Sequence, residues 1–183
     1  MRPLIIRPFA GGTGRRFCCA LLAVLLGWAV APAQERRLIE FRIEDQFGRE
    51  YRRDAFAGRA SVWIGSDREG SAFNNQWGAA LYGALKDEAD AGRVRFVGVA
   101  DLRGVPFFLK GFVRGKFPQD EKRRILMDWK GVFAEGYALK EKHSNILVFS
   151  PSGALVYRAA GREPAAAAVE STAAAVRGSL GRE

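Results

Sequence analysis

Apolar and polar positions along the chain switch between a period of two and a period near 3.6. Leu38-Ile39-Glu40-Phe41-Arg42-Ile43 alternates loosely and predicts a strand, Asp45-Gln46-Phe47-Gly48 a turn, and Glu50-Tyr51-Arg52-Arg53 the returning arm of a hairpin. Ala60-Ser61-Val62-Trp63-Ile64 is a short apolar run closed by Gly65, the pattern of a buried strand. Behind it, Ser66-Asp67-Arg68-Glu69 has the Ser-x-x-Glu spacing of a capping box, and Phe73, Trp77, Leu81, Ala84 and Glu88 then recur at helical intervals. The first four make one apolar stripe facing a sheet. Gly70, Gly78 and Gly83 each weaken that helix by up to about 1 kcal/mol. Arg93 to Ala100 turns from alternating to wholly apolar, as an inner strand does, and Val105 to Phe117 contains a short helix.

The second half continues in the same manner. Ile125-Leu126-Met127-Asp128 predicts a strand, and Val132 to Tyr137 a short helix after Lys130-Gly131. Asn145 to Phe149, the turn Ser150-Pro151-Ser152-Gly153, and Ala154 to Arg158 make a second hairpin. An Ala-rich segment from Pro164 to Leu180 closes the chain as a helix. The order is β-hairpin, β, α, β, α, β, short α, β-hairpin, α, which belongs to the α/β class.

The first 33 residues change the picture of where this domain works. Arg2, Arg7, Arg15 and Arg16 precede an apolar run from Phe17 to Val30, and Ala31-Pro32-Ala33 supplies a small-x-small cleavage pattern. These are the parts of a secretory signal, so residues 1–33 are expected to be removed and residues 34–183 to form one periplasmic domain. The run is shorter than the ~20 apolar residues a permanent span requires. Arg15-Arg16 leaves both the twin-arginine and the unfolded export routes open.

Composition then narrows the chemistry. The net charge is +9, and the first 33 residues carry four of the 29 basic residues and none of the 20 acids, so the remainder stands at +5 with signs interspersed. That falls short of a nucleic-acid-binding signature. The only cysteines, Cys18 and Cys19, lie at the start of the apolar run. A chain beginning near Gln34 has no thiol for a disulfide, a metal site or a nucleophile.

The element order resembles the thioredoxin-like proteins, the redoxin branch in particular. Phe41 to Tyr51 is similar to their N-terminal hairpin, and Val62-Trp63-Ile64 to the central strand that leads into the active-site helix. Leu126-Met127-Asp128 with Lys130-Gly131 and Ala134 to Ala138 resembles the redoxin stretch before the closing hairpin, and Ile146 to Tyr157 resembles that hairpin. Within the class, Pro106-Phe107-Phe108, Phe112-Val113-Arg114 and Ser144 are similar to the periplasmic YtfJ-type family. The resemblance implies a single thioredoxin-like domain, an N-terminal β-hairpin beside a central mixed sheet flanked by helices. It also marks two departures. Where the class places its redox cysteines this chain has Ser66-Asp67-Arg68-Glu69-Gly70-Ser71, and where the class places a cis-proline it has Lys142-His143-Ser144-Asn145. Disulfide exchange and peroxide reduction are therefore not carried over.

Two surfaces are candidates for binding. The first comprises Ser66, Asp67, Arg68, Glu69 and Ser71 with His143, Ser144 and Asn145. A helix N-terminus can present N–H groups to an anion or a partner, but Asp67 and Glu69 already fill that field. A hydrolase built from Ser71 or Ser66, His143 and Asp67 is the alternative, and it lacks a Gly-x-Ser-x-Gly elbow. The second surface comprises Phe107, Phe108, Lys110, Phe112 and Arg114. Its plain reading is a helix packed on the sheet; joint exposure of the three phenylalanines would instead favour an apolar partner or an anionic membrane. Lys122-Arg123-Arg124 reads as a solvated turn. The expectation is a non-catalytic binding module with an unidentified periplasmic protein partner, no cofactor, no metal and no nucleic acid.

Overall fold

The computed structural model describes residues 37–181; the expected signal segment and its export route lie outside them. The described residues form one α/β domain. Its strands are β1 (Arg42–Asp45), β2 (Glu50–Arg52), β3 (Ala60–Ser66), β4 (Val94–Asp101), β5 (Ile125–Asp128), β6 (Ser144–Phe149) and β7 (Leu155–Gly161). They pair in the order β2-β1-β5-β4-β3-β6-β7. β3, β4 and β5 run parallel, and the β1-β2 and β6-β7 hairpins extend the sheet antiparallel on either side. The helices are α1 (Ser71–Ala84), α2 (Lys86–Asp90), α3 (Lys110–Arg114), α4 (Val132–Gly136) and α5 (Ala166–Leu180).

Every residue of β3 and β6 is buried, as the apolar runs require of strands covered on both faces. One face carries an aromatic cluster in which Trp63 stacks on Phe133 at 5.0 Å and meets Phe41, Phe56 and Phe149. The Trp63 indole N–H donates to Ser61 Oγ at 2.8 Å, so its burial leaves no orphan donor. The other face packs Val62, Ile64, Ile146 and Val148 against Trp77, Leu81 and Leu85, and against Ala173 and Val176 of α5. Trp77 donates to the Gly161 carbonyl at 3.1 Å and so ties α1 to the end of β7.

Several boundaries move for identifiable reasons. The chain at 38–41 does not join the first hairpin. Leu38 N–H donates to Gly153 O at 2.7 Å and Ile39 N–H to Tyr137 Oη at 2.8 Å, so this stretch lies against the aromatic face and β1 starts at Arg42. Tyr137 in turn donates to Arg37 O at 2.9 Å, and burial pushes its hydroxyl up to about 12. The first long helix stops at Leu85 and restarts as α2. Glu88, the last residue in the helical spacing, is buried and accepts from Arg177 Nε of α5 at 2.7 Å.

The segment 105–117 departs most from expectation. It is not a helix packed on the sheet. It is a single turn at Phe107–Leu109 followed by α3, and none of its helical residues is buried. Gly111 and Gly115 deny it a continuous apolar stripe that could compete with α1 and α5 for the sheet.

Candidate functional site

The C-terminal edge of β3, the loop 67–70, the start of α1 and the entry to β6 converge on one place. The expected Ser66/Glu69 capping box is not formed. Ser66 remains in β3, and it is Asp67 whose side chain caps the turn at 67–70 that leads into α1. Its Oδ1 accepts Gly70 N–H at 2.7 Å, and Ser71 N–H bonds the Asp67 carbonyl at 3.0 Å. The shift follows from pairing: Ser66 is held in the ladder opposite Ala100, so the first residue free to cap is the next one. Glu69 instead reaches Lys142 Nζ at 3.4 Å.

Asp67 also spans the two loops. Its Oδ2 accepts the backbone N–H of Lys142 at 2.8 Å, where Lys142 adopts a left-handed φ of 60°. Gly70 fits directly against His143, leaving no room there for a Cβ. Beneath this contact runs a polar chain from buried Ser144 through half-buried Asn74 to buried Ser66. Ser144 Oγ donates to Asn74 Oδ1 at 2.6 Å, and Asn74 Nδ2 donates to Ser66 Oγ at 2.8 Å. Asn145 closes the turn before β6: its Oδ1 accepts Lys140 N–H at 2.7 Å, and its Nδ2 donates to Lys140 O at 2.9 Å and to Gly65 O at 3.2 Å.

The structure thus brings Ser66, Asp67, Glu69, Ser144 and Asn145 together with the backbone of His143. It does not assemble a nucleophile, base and acid. Ser71 Oγ donates to Arg68 O at 2.6 Å, and the His143 ring places Nδ1 2.6 Å from Glu141 O, which makes Nδ1 the donor. No hydrogen bond among the described residues joins His143 to Ser66, Ser71 or Asp67. Arg68 is exposed and forms no ion pair among them. No group of three His, Cys, Asp or Glu residues among them is placed to hold a metal.

Asn74 is the residue that periodicity missed. It lies on α1 between the stripe positions Phe73 and Trp77, and only a polar residue at that height can link Ser66 to Ser144. Asp128 is a second. Buried at the end of β5, it accepts from Val132, Phe133 and Ala134 N–H at 2.8–3.0 Å and so caps α4 from outside the helix. Burial pushes its carboxyl above the usual range despite those three donors.

Beside the loop, an open groove of about 2170 Å³ runs between α1, β4 and the 105–124 segment. Asn75, Gly78 and Tyr82 form one wall, Phe96 and Gly98 part of the floor, and Leu109 and Val113 the far side. Arg123 bridges it by donating to Asn75 Oδ1 at 2.8 Å, so the 122–124 run is not wholly solvated. Along the arm, Phe107, Phe108 and Phe112 are 82, 71 and 66% exposed, the last of them on the groove's rim. Lys110 Nζ lies 5.1 Å from the Trp129 ring centre, and Arg114 pairs with Glu44 at 2.6 Å.

The architecture is that of the thioredoxin-like class, and comparison with solved structures agrees. BsSco, a member of the Sco family of cytochrome c oxidase assembly proteins, is similar with a TM-score of 0.57 at 12% identity, over 82% of this chain and 96% of its own. Peroxiredoxin Q of Xanthomonas campestris is similar with a TM-score of 0.55 at 15% identity, over 78% and 98%. A putative thioredoxin from Neisseria meningitidis gives 0.54 at 9% identity, over 79% and 90%. No protein-family model matches the chain, and no curated protein matches it. Identities this low carry the fold alone.

Proposed function

We propose that this chain is an exported, thioredoxin-like binding module without catalytic chemistry, acting on a protein partner in the periplasm. The finer resemblance to the YtfJ-type family belongs to the same reading. The observation that carries it is the position of Asp67. In thioredoxin-like enzymes the start of the helix after the central strand stabilises a thiolate with its N–H groups and dipole. Here the carboxylate of Asp67 occupies that field, bonded to Gly70 N–H and Lys142 N–H. With the signal removed, no cysteine remains to use it.

The groove is the feature suited to a partner. Small-molecule pockets enclose about 300–1,000 Å³, and this groove is larger and only partly enclosed. Its mixed lining, amide side chains on α1 facing Phe96, Leu109 and Val113, matches an extended polypeptide that offers both backbone and apolar groups.

Two measurements test the reading. Insulin reduction and peroxide reduction by the processed protein should both stay at background; turnover in either sinks it. A photo-crosslinking side chain at Ala79, on the groove wall, should trap one polypeptide in the periplasm that the same group at Glu170 on α5 does not. Equal trapping at both positions removes the groove from the proposal.

A further inference from the structure

We propose that the 105–117 arm docks this protein on an anionic lipid surface, with Phe107, Phe108 and Phe112 entering the interface and Lys110 and Lys116 meeting lipid phosphates. The inference differs from the groove reading in where it centres: Phe107, Phe108 and Lys110 lie outside the groove, while Phe112 and Lys116 stand on its rim. Three observations support it.

Exposure is the first. Three phenylalanines within six positions, each at least 66% exposed, form an apolar patch that no packing in the domain explains. Phe107 and Phe108 meet edge-to-face at 5.8 Å, so they form one cluster. The second is charge. Residues 102–119 contain Arg103, Lys110, Arg114 and Lys116 and no acid. The arginines are answered from outside the segment, Arg103 by Asp101 and Glu135 and Arg114 by Glu44. The two lysines form no ion pair among the described residues. Lys116 Nζ instead rests 4.7 Å from the Phe112 ring centre, and Lys110 Nζ over Trp129. Each is a charge on a flexible stem lying along an aromatic surface, free to turn to an anion.

Shape is the third. Energetic centres of protein–protein contacts lie in well-packed pockets. The single turn at Phe107–Leu109 and α3 contain no buried residue, and the exposed rings are borne on this short segment. An exposed set of rings flanked by unpaired lysines matches the boundary between lipid headgroups and acyl chains, where apolar area and anionic attraction act together.

The test uses the full chain with Cys18→Ser and Cys19→Ser, carrying Phe108→Cys labelled with a polarity-sensitive fluorophore as a reporter distinct from the four native tryptophans, with vesicles of phosphatidylcholine alone or mixed with phosphatidylglycerol. The apolar run at Phe17–Val30 can itself hold the full chain to any bilayer, so the reading is the emission and quenching of the reporter rather than sedimentation alone. The expected result is a blue shift, with quenching by nitroxide-labelled lipid, on the phosphatidylglycerol vesicles only, and its reversal in high salt. Lys110→Ser and Lys116→Ser should each weaken that response about fivefold. Phe107→Ser with Phe112→Ser should weaken it at least about tenfold. These side chains lie outside the core, so circular dichroism should remain that of the parent. A reporter that stays at its aqueous wavelength on both vesicles overturns the proposal. So does one that shifts only when a soluble periplasmic protein is added, which would assign the arm to a protein contact.

Discussion

Gly70 packs on the backbone of His143: a Cβ built on Gly70 would lie 2.8 Å from His143 N and from its carbonyl carbon, and nearer still to the oxygen. Local preference points the other way. Gly70 has helical angles, φ −64° and ψ −24°, at which alanine is favoured by up to about 1 kcal/mol. The obstacle is main chain, which cannot turn aside as a side chain would. Gly70→Ala should therefore destabilise the domain by about 1–3 kcal/mol despite its better propensity. Urea unfolding checks it; a raised midpoint would mean that the two loops are not in contact.

Asp67 holds those same loops through both carboxylate oxygens. Losing a helix cap costs about 1 kcal/mol, within a range of roughly 0.5–2. Asp67→Ala should fall at the upper end, because Lys142 N–H loses its acceptor as well. Asp67→Asn keeps one acceptor oxygen and should lose about half as much. For a domain of this size the alanine variant should melt roughly 3–8 °C lower. An asparagine variant that melts with the parent would show that only one of the bonds contributes.

The Glu88–Arg177 pair ties α2 to α5 and gives a pH dependence of definite sign. The Arg177 hydrogen bond holds the Glu88 carboxyl below its ordinary value, against the desolvation that opposes it. A depressed folded value adds stability above the unfolded value, near 4.5, and that stability is lost as pH falls through the folded one. Arg177 is largely solvent-exposed, which screens the pair. Arg177→Met should lower the melting temperature at neutral pH, and the difference from the parent should narrow on acidification below the folded value. A difference that is constant across this range would assign the loss to the pH-independent contacts of Arg177, its stem and its bond to Ala84 O at 2.7 Å.

The strand and helix order was legible because the two periods are strong. Val62-Trp63-Ile64 and Ile146-Leu147-Val148 are apolar runs, and Trp77 and Leu81 fall one helical turn apart on the same stripe. The capping residue was not legible, since Ser-x-x-Glu and Asp-x-x-Gly overlap at Ser66–Gly70 and local spacing favours the first. What decides is the ladder that keeps Ser66 opposite Ala100, a contact between residues far apart in sequence. The polar chain through Asn74 was hidden for the same reason: its partners Ser66 and Ser144 come from two other elements. The arm was misjudged because aromatic content alone suggests burial. Gly111 and Gly115 were the signal that the segment could not present one continuous face.

A thiol placed on the loop tests directly whether the helix N-terminus is still open to an anion. In a chain with Cys18→Ser and Cys19→Ser, Arg68→Cys would put the only thiol beside Asp67 and Glu69. The N–H group of Gly70 that could favour a thiolate is bonded to Asp67 Oδ1, and the neighbouring carboxylates repel a second negative charge. The Arg68→Cys thiol should therefore titrate at or above about 8.5, the ordinary value, when alkylation rate is followed against pH. Adding Asp67→Ser removes the carboxylate and frees the Lys142 N–H, so the titration should move to lower pH. If the thiol is already ionised at neutral pH with Asp67 in place, the dipole outweighs the carboxylates. The loop would then retain the electrostatics of a redox site, and the non-catalytic reading would rest on the missing sulfur alone.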